Sequence, residues 1–170
     1  MKRRNYTWVA LLLSVAAGAL IRLAFAPYHY TFFVLVALTL LIASVGLGRR
    51  PFVCGLLFGI SQGIGLSFWV IETLTSHYEL DVALSYGLYA VTIILLALWP
   101  ALICRVFYYP ARRLIICRSF AALLVQAVVI ASIFTTLEWV RISFSPEYAW
   151  GYIPAVFAEL PQIIILTRYI

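Results

Sequence analysis

Of 170 residues, 65% are apolar and only 11% are charged, with a mean hydropathy of +1.06. Soluble domains are about half apolar and about a quarter charged, which excludes a water-soluble globule and makes lipid the solvent for most of the chain. The net charge of +6 comes from basic residues set beside apolar runs, not from a basic stripe interleaved with polar aromatics, so no nucleic-acid partner is expected and the charge reads as membrane topology.

A membrane span takes about 20 residues and its connection several more, so the length allows five or six spans and no second domain. Apolar runs of spanning length fall at residues 8–25, 31–47, 52–71, 82–104 and 120–140, with a partial sixth over 161–170. Lipid offers no water to unpaired backbone groups and no ten-residue alternation is present, so the runs predict helices. The expected fold is an all-α, polytopic membrane helical bundle with five spans and a truncated sixth. The first run follows Lys2-Arg3-Arg4 like a secretory leader, and Ala24-Phe25-Ala26 imitates a cleavage site. Its length, the Arg22 within it and the Pro27 just beyond favour an uncleaved first span.

The connections set the orientation. With the N-terminus in the cytoplasm, Lys2, Arg3, Arg4, Arg49, Arg50, Arg105, Arg112, Arg113 and Arg118 lie inside, against Arg22, Arg141 and Arg168 outside. Nine against three over short loops predicts a cytoplasmic N-terminus. Glu72, Glu79, Asp81, Glu138, Glu147 and Glu159 all fall on the outer side or at its boundary. Aromatics such as Tyr6, Trp8, Trp69, Trp99, Tyr108 and Trp139 are read as headgroup-level anchors at span ends.

Within the third run, Gly55, Gly59 and Gly63 recur every four residues, with Ser67 continuing the row. They share one helical face, where small residues let another helix approach closely; packing within the chain is the expected use. Glu138 and Arg141, three apart near the outer end of the fifth run, share a face and are placed to pair. Ionisable groups at membrane depth carry a functional reading by default, here contact with a lipid headgroup or partner domain, beside the structural reading of a pair that orients the following loop. Glu72 is a further candidate contact at the outer edge. His77 and Asp81, four apart in the next loop, have the spacing of an oriented base, but no nucleophile accompanies them and a solvated loop is expected. Cys54, Cys104 and Cys117 form no C-x-x-C pair and have no histidine at metal-site spacing, so they read as reduced thiols and no metal is expected. Phosphate-binding glycine loops, zinc motifs and nucleophile elbows are missing, and no cofactor is expected.

Several local patterns together resemble the membrane portion of bacterial apolipoprotein N-acyltransferases. They are Leu23-Ala24-Phe25-Ala26-Pro27-Tyr28, Arg49-Arg50-Pro51, the glycine-rich run from Gly55 through Gly65 into Phe68-Trp69-Val70, Leu137-Glu138-Trp139-Val140-Arg141, and Trp150-Gly151-Tyr152. Their order and separations cover nearly the whole chain. The resemblance implies an enzyme family of the bacterial inner membrane that moves an acyl chain from a phospholipid to the amino group of a diacylglyceryl-cysteine during lipoprotein maturation. It also implies that the chemistry belongs to an extracytoplasmic nitrilase-like domain with a Glu-Lys-Cys set, whose cysteine forms a thioester that the lipoprotein amine resolves. The one lysine here is Lys2, so no catalytic residue carries over, and a chain ending before such a domain is expected to be inactive alone. Ile142 follows Arg141 where the family has glycine, and Ser145-Pro146-Glu147-Tyr148-Ala149-Trp150 replaces a threonine-glycine-phenylalanine-proline-tryptophan-like stretch. The expected partners are membrane phospholipid, and with it a separately encoded nitrilase-like domain and an apolipoprotein. A non-enzymatic scaffold for such a domain is the alternative. A small transporter is a further one, disfavoured because the middles of all five runs carry no charge.

Overall fold

The computed structural model describes residues 6–144 apart from Ala26 and Arg118, together with Ile153 and Val156. The described residues are helical, with no strand among them: α1 (Thr7–Ile21), α2 (Phe32–Leu47), α3 (Pro51–Leu66), α4 (Trp69–Glu72), α5 (Val82–Val106), α6 (Tyr108–Ile116) and α7 (Phe120–Phe144). A single 3-10 turn, Arg22–Ala24, prolongs α1. Three of these segments, Thr7–Ala24, Val82–Val106 and Phe120–Phe144, are long and apolar enough to cross a membrane.

The other two expected spans differ from the sequence reading. The run at 31–47 is helical over the 16 residues of Phe32–Leu47, which at 1.5 Å per residue gives about 24 Å against a hydrocarbon core of about 30 Å. The run at 52–71 is broken: α3 ends at Leu66, and the next helical stretch, Trp69–His77, is bent from it by 54°. Taken as one span, that bent pair raises the total to four. Gly63 and Gly65 weaken the last turn of α3, and beyond the break hydroxyls compete for helix carbonyls. Thr73 Oγ1 donates to the Trp69 carbonyl and Thr75 Oγ1 to those of Ile71 and Glu72. Such back-bonding bends helices, and Thr73–His77 here widens into a π turn. The fifth run extends four residues past its expected end, to Phe144. The partial sixth, 161–170, lies outside the described residues.

α3 is the centre of the bundle, packed most extensively on α5 and α1, and α1 packs in turn on α2. Each of these helices turns small or apolar residues inward at helical spacing: Ala10, Ser14, Ala17 and Ile21 on α1, Val34, Ala37, Leu41 and Val45 on α2, and Ser85, Tyr89, Ile93, Ala97 and Ala101 on α5. Lipid tails are as apolar as leucine, so close approach and interhelical hydrogen bonds hold the helices together rather than a drive to bury apolar surface. Ser14 and Ser44 share a 2.7 Å hydrogen bond between α1 and α2. Ser61 Oγ donates to the Val15 carbonyl between α3 and α1 at 2.9 Å. A Cβ at Gly18 would strike the Phe58 carbonyl oxygen, so α1 and α3 touch backbone to backbone there.

Sequence reading missed α6, which lies inside a connection taken as a basic loop. It is amphipathic and packs on α2 and α7. α7 is the least embedded helix: of its 25 residues only Ile130 and Glu138 are buried.

Candidate functional site

The glycine row of α3 lies against α5. A Cβ on Gly55 would fall on the Pro100 carbonyl, and one on Gly59 would come within 2.7 Å of the Ala97 Cα and 2.6 Å of the Pro100 ring. At Gly63 the neighbour is the Ile93 side chain, 3.2 Å away. The row ends at Ser67, which caps α3 where the chain bends.

Beside this seam a cavity of about 290 Å³ opens between α3, α5 and α7, with Phe25 and Ile153 also lining it. On α3 its wall is Phe58, Gly59, Gln62, Gly63, Leu66 and Ser67, two residues from each successive turn. α5 adds Leu96, Trp99, Pro100 and Ile103, and α7 adds Phe134, Glu138 and Arg141 at positions i, i+4 and i+7. The lining is mostly apolar, and beside Gln62 and Ser67 it carries two further polar features.

The first of these is the Glu138–Arg141 pair, where Arg141 Nη2 donates to Glu138 Oε2 at 2.7 Å across one helical turn. The side chains keep only 16% and 10% of their surface for Arg141 and Glu138 respectively. This is a charge-assisted bond in a poorly hydrated place, stronger than its surface counterparts. The second is Trp99, whose indole Nε1 is buried with no acceptor among the described residues. Trp99, read from sequence as a headgroup anchor, stands two turns inside α5 and lines the cavity. A buried donor without a partner costs about 1–3 kcal/mol, and an occupant bringing a carbonyl or ester oxygen would relieve that cost.

Other candidates are placed elsewhere. Glu72 is exposed on α4 and does not line the cavity. Asp81, whose spacing to His77 suits a pair but which was expected in a solvated loop, caps α5, its Oδ1 accepting from the backbone of Ala83 at 2.8 Å and Leu84 at 3.3 Å. His77 is exposed and stacks edge-on against Tyr78, ring centroids 5.0 Å apart. Arg22 lies with its side chain along Gly65. Cys54 and Cys104 are buried and Cys117 half-buried, all as free thiols, and none lines the cavity. Among the described residues no group of three His, Cys, Asp or Glu side chains is placed to hold a metal ion. The arrangement is suited to holding a slender apolar chain with an oxygen-bearing end, and among the described residues no histidine or cysteine lines it.

A family model described as the apolipoprotein N-acyltransferase N-terminal domain matches residues 17–170. An apolipoprotein N-acyltransferase of Methylococcus capsulatus is 39% identical over 97 residues, a stretch covering 55% of this chain and 19% of that protein. The chain thus spans about a fifth of the length of the curated relative it matches.

Proposed function

The chain belongs to the apolipoprotein N-acyltransferase N-terminal domain family, and from that premise we propose that it is the membrane-embedded part of an enzyme moving an acyl chain from a phospholipid to an apolipoprotein. The family match over residues 17–170 carries this reading. The apolar cavity supports it, because a lone acyl chain has the shape and polarity of its lining, the Glu138–Arg141 pair supplies charge for a phosphate end, and the Trp99 indole supplies a donor elsewhere on the wall. The bundle sits in the bacterial inner membrane with its N-terminus and the Arg49, Arg112 end cytoplasmic, which puts Glu138, Arg141 and Glu72 toward the outer side. Gly55, Gly59 and Gly63 serve by letting α3 and α5 pack closely.

The role of these 170 residues is to present lipid rather than to break a bond. Covalent acyl transfer needs an activated nucleophile, and with Lys2 as the one lysine no outer Glu-Lys-Cys set is assembled from them. A nitrilase-like domain, on the same polypeptide or encoded separately, supplies that chemistry. The test is acyl transfer from phospholipid to a diacylated lipoprotein peptide, with the purified 170-residue chain in phospholipid vesicles. No turnover by the chain alone is expected, with turnover appearing when a nitrilase-like domain is supplied. Robust turnover by the chain alone would refute the lipid-presenting role.

A further inference from the structure

The end of the bundle remote from Glu138 carries a second cavity, of about 230 Å³, walled by Tyr6, the Gly46–Arg49 turn, Arg112 and Ile116. It exists because α6 folds back over the end of α2. A Cβ at Gly46 would collide with the Ile115 side chain and come within 2.8 Å of the Ala111 carbonyl, so glycine there is what allows the contact. Two arginines from separate elements thereby line one cleft.

Arg112 is held in position. Its Nη1 donates to the Tyr108 hydroxyl at 2.8 Å, one helical turn back, and its guanidinium lies 6.0 Å from that ring's centroid. Tyr108 takes one of the five N–H donors that a guanidinium offers. Among the described residues the carboxylates, Glu72, Glu79, Asp81 and Glu138, belong to the opposite end of the bundle, and none lines the cleft. Among the described residues the cleft is therefore cationic without an internal counter-charge.

Its flank identifies the occupant. Trp8, Ile116 and Phe120 are exposed at the same end, and α6 is amphipathic, which fits a helix lying at the level where headgroups meet acyl chains. A soluble anion would have no use for that apolar border, whereas a phospholipid covers it. Basic pockets between membrane helices grip anionic headgroups in this way, through charge reinforced by guanidinium–phosphate geometry.

We propose that the cleft formed by Arg49, Arg112 and Tyr6 binds the phosphate headgroup of an anionic phospholipid, whose acyl chains run along Trp8 and Ile116. This is a site for a bound lipid, separate from the cavity at Glu138 and independent of whether that cavity serves acyl transfer.

The test is native mass spectrometry of the delipidated full chain in detergent, titrated with phosphatidylglycerol or phosphatidylcholine, with inorganic phosphate as competitor. Phosphatidylglycerol is expected to bind about thirtyfold more tightly than phosphatidylcholine, from two arginines near the surface. R49Q/R112Q should abolish that preference, while R22Q, at the other end, should keep it. Raising ionic strength should weaken the wild-type preference, a readout that needs no variant. Equal retention of the two lipids, an unchanged preference in R49Q/R112Q, insensitivity to salt, or displacement of the lipid by equimolar inorganic phosphate would each overturn the proposal.

Discussion

Replacing Gly59 with alanine adds one methyl group to the close seam between α3 and α5. That carbon would lie 2.6 Å from the Pro100 ring, 2.7 Å from the Ala97 Cα and 2.9 Å from the Ala97 Cβ. Carbon atoms rest at about 3.5–4.0 Å, so α3 and α5 must separate by about 1 Å, and a gap of that size forfeits about half of each pair's dispersion energy. Overpacking of this kind costs about 1–3 kcal/mol, and the better helix propensity of alanine returns at most about 1 kcal/mol. Gly63→Ala meets only the Ile93 side chain, at 3.2–3.6 Å, and Gly87→Ala meets nothing within 4 Å. Gly63→Ala is therefore expected to be close to neutral, and Gly87→Ala to gain about 0.5–1 kcal/mol. Cys54 and Cys104 are buried within the bundle, so a thiol-reactive fluorophore reports its opening on heating in detergent, once Cys117 is replaced by serine. The expected order of melting temperature is Gly87→Ala highest, then wild type and Gly63→Ala, then Gly59→Ala. A Gly59→Ala protein melting at or above Gly87→Ala would refute the claim that helix approach, rather than helix propensity, decides stability here.

The Glu138–Arg141 pair gives a double-mutant cycle. Glu138→Gln replaces the 2.7 Å charge-assisted bond to a poorly exposed guanidinium with a neutral one and should cost about 1.5–3 kcal/mol. Glu138→Gln/Arg141→Gln should cost less than the sum of the two single changes, measured by the same melting assay. Trp99→Phe removes the buried indole donor, so the stabilisation that added phospholipid confers on the wild type should shrink in the variant. An unchanged lipid-induced shift would separate Trp99 from lipid binding. Ser14→Ala breaks the 2.7 Å bond to Ser44 and should cost only about 0.6 kcal/mol, the usual worth of such interhelical bonds in membranes, as read by the melting temperature.

The helical character and, to within one residue, the starts of α1, α5 and α7 were legible because long uncharged runs leave no alternative conformation in lipid. Hydropathy alone did not reveal the break after Leu66, since Ser67 and Phe68 are as compatible with a continuing helix as with a turn. The threonine hydroxyls at 73 and 75 that bend the next segment are local hydrogen-bond competitors, which an apolar window averages away. α6 was hidden for the opposite reason: its arginines read as a loop, and only the spacing of Tyr108, Ala111 and Leu114, three apart on one inward face, marks an interfacial helix. At the candidate site, the spacing of Glu138 and Arg141 identified the pair. Trp99 escaped because an aromatic near a span end has a ready use as an anchor, and whether its indole faces headgroups or a cavity depends on how α3 and α7 pack.

The contrast between α3 and α7 explains why a cavity lies where it does. α3 meets α5 through glycines whose missing side chains leave no space between backbones, so that seam is closed along Gly55 and Gly59. α7 has no such row, meets α5 only sparsely, and buries just Ile130 and Glu138. Side chains such as Trp99 and Phe134 therefore hold α5 and α7 apart, and the space between them is the 290 Å³ cavity. Few packed contacts also make α7 the element that separates at least energetic cost. A lipid chain entering from the side would then pass between α5 and α7, beside the Glu138–Arg141 pair that α7 carries into the cavity wall.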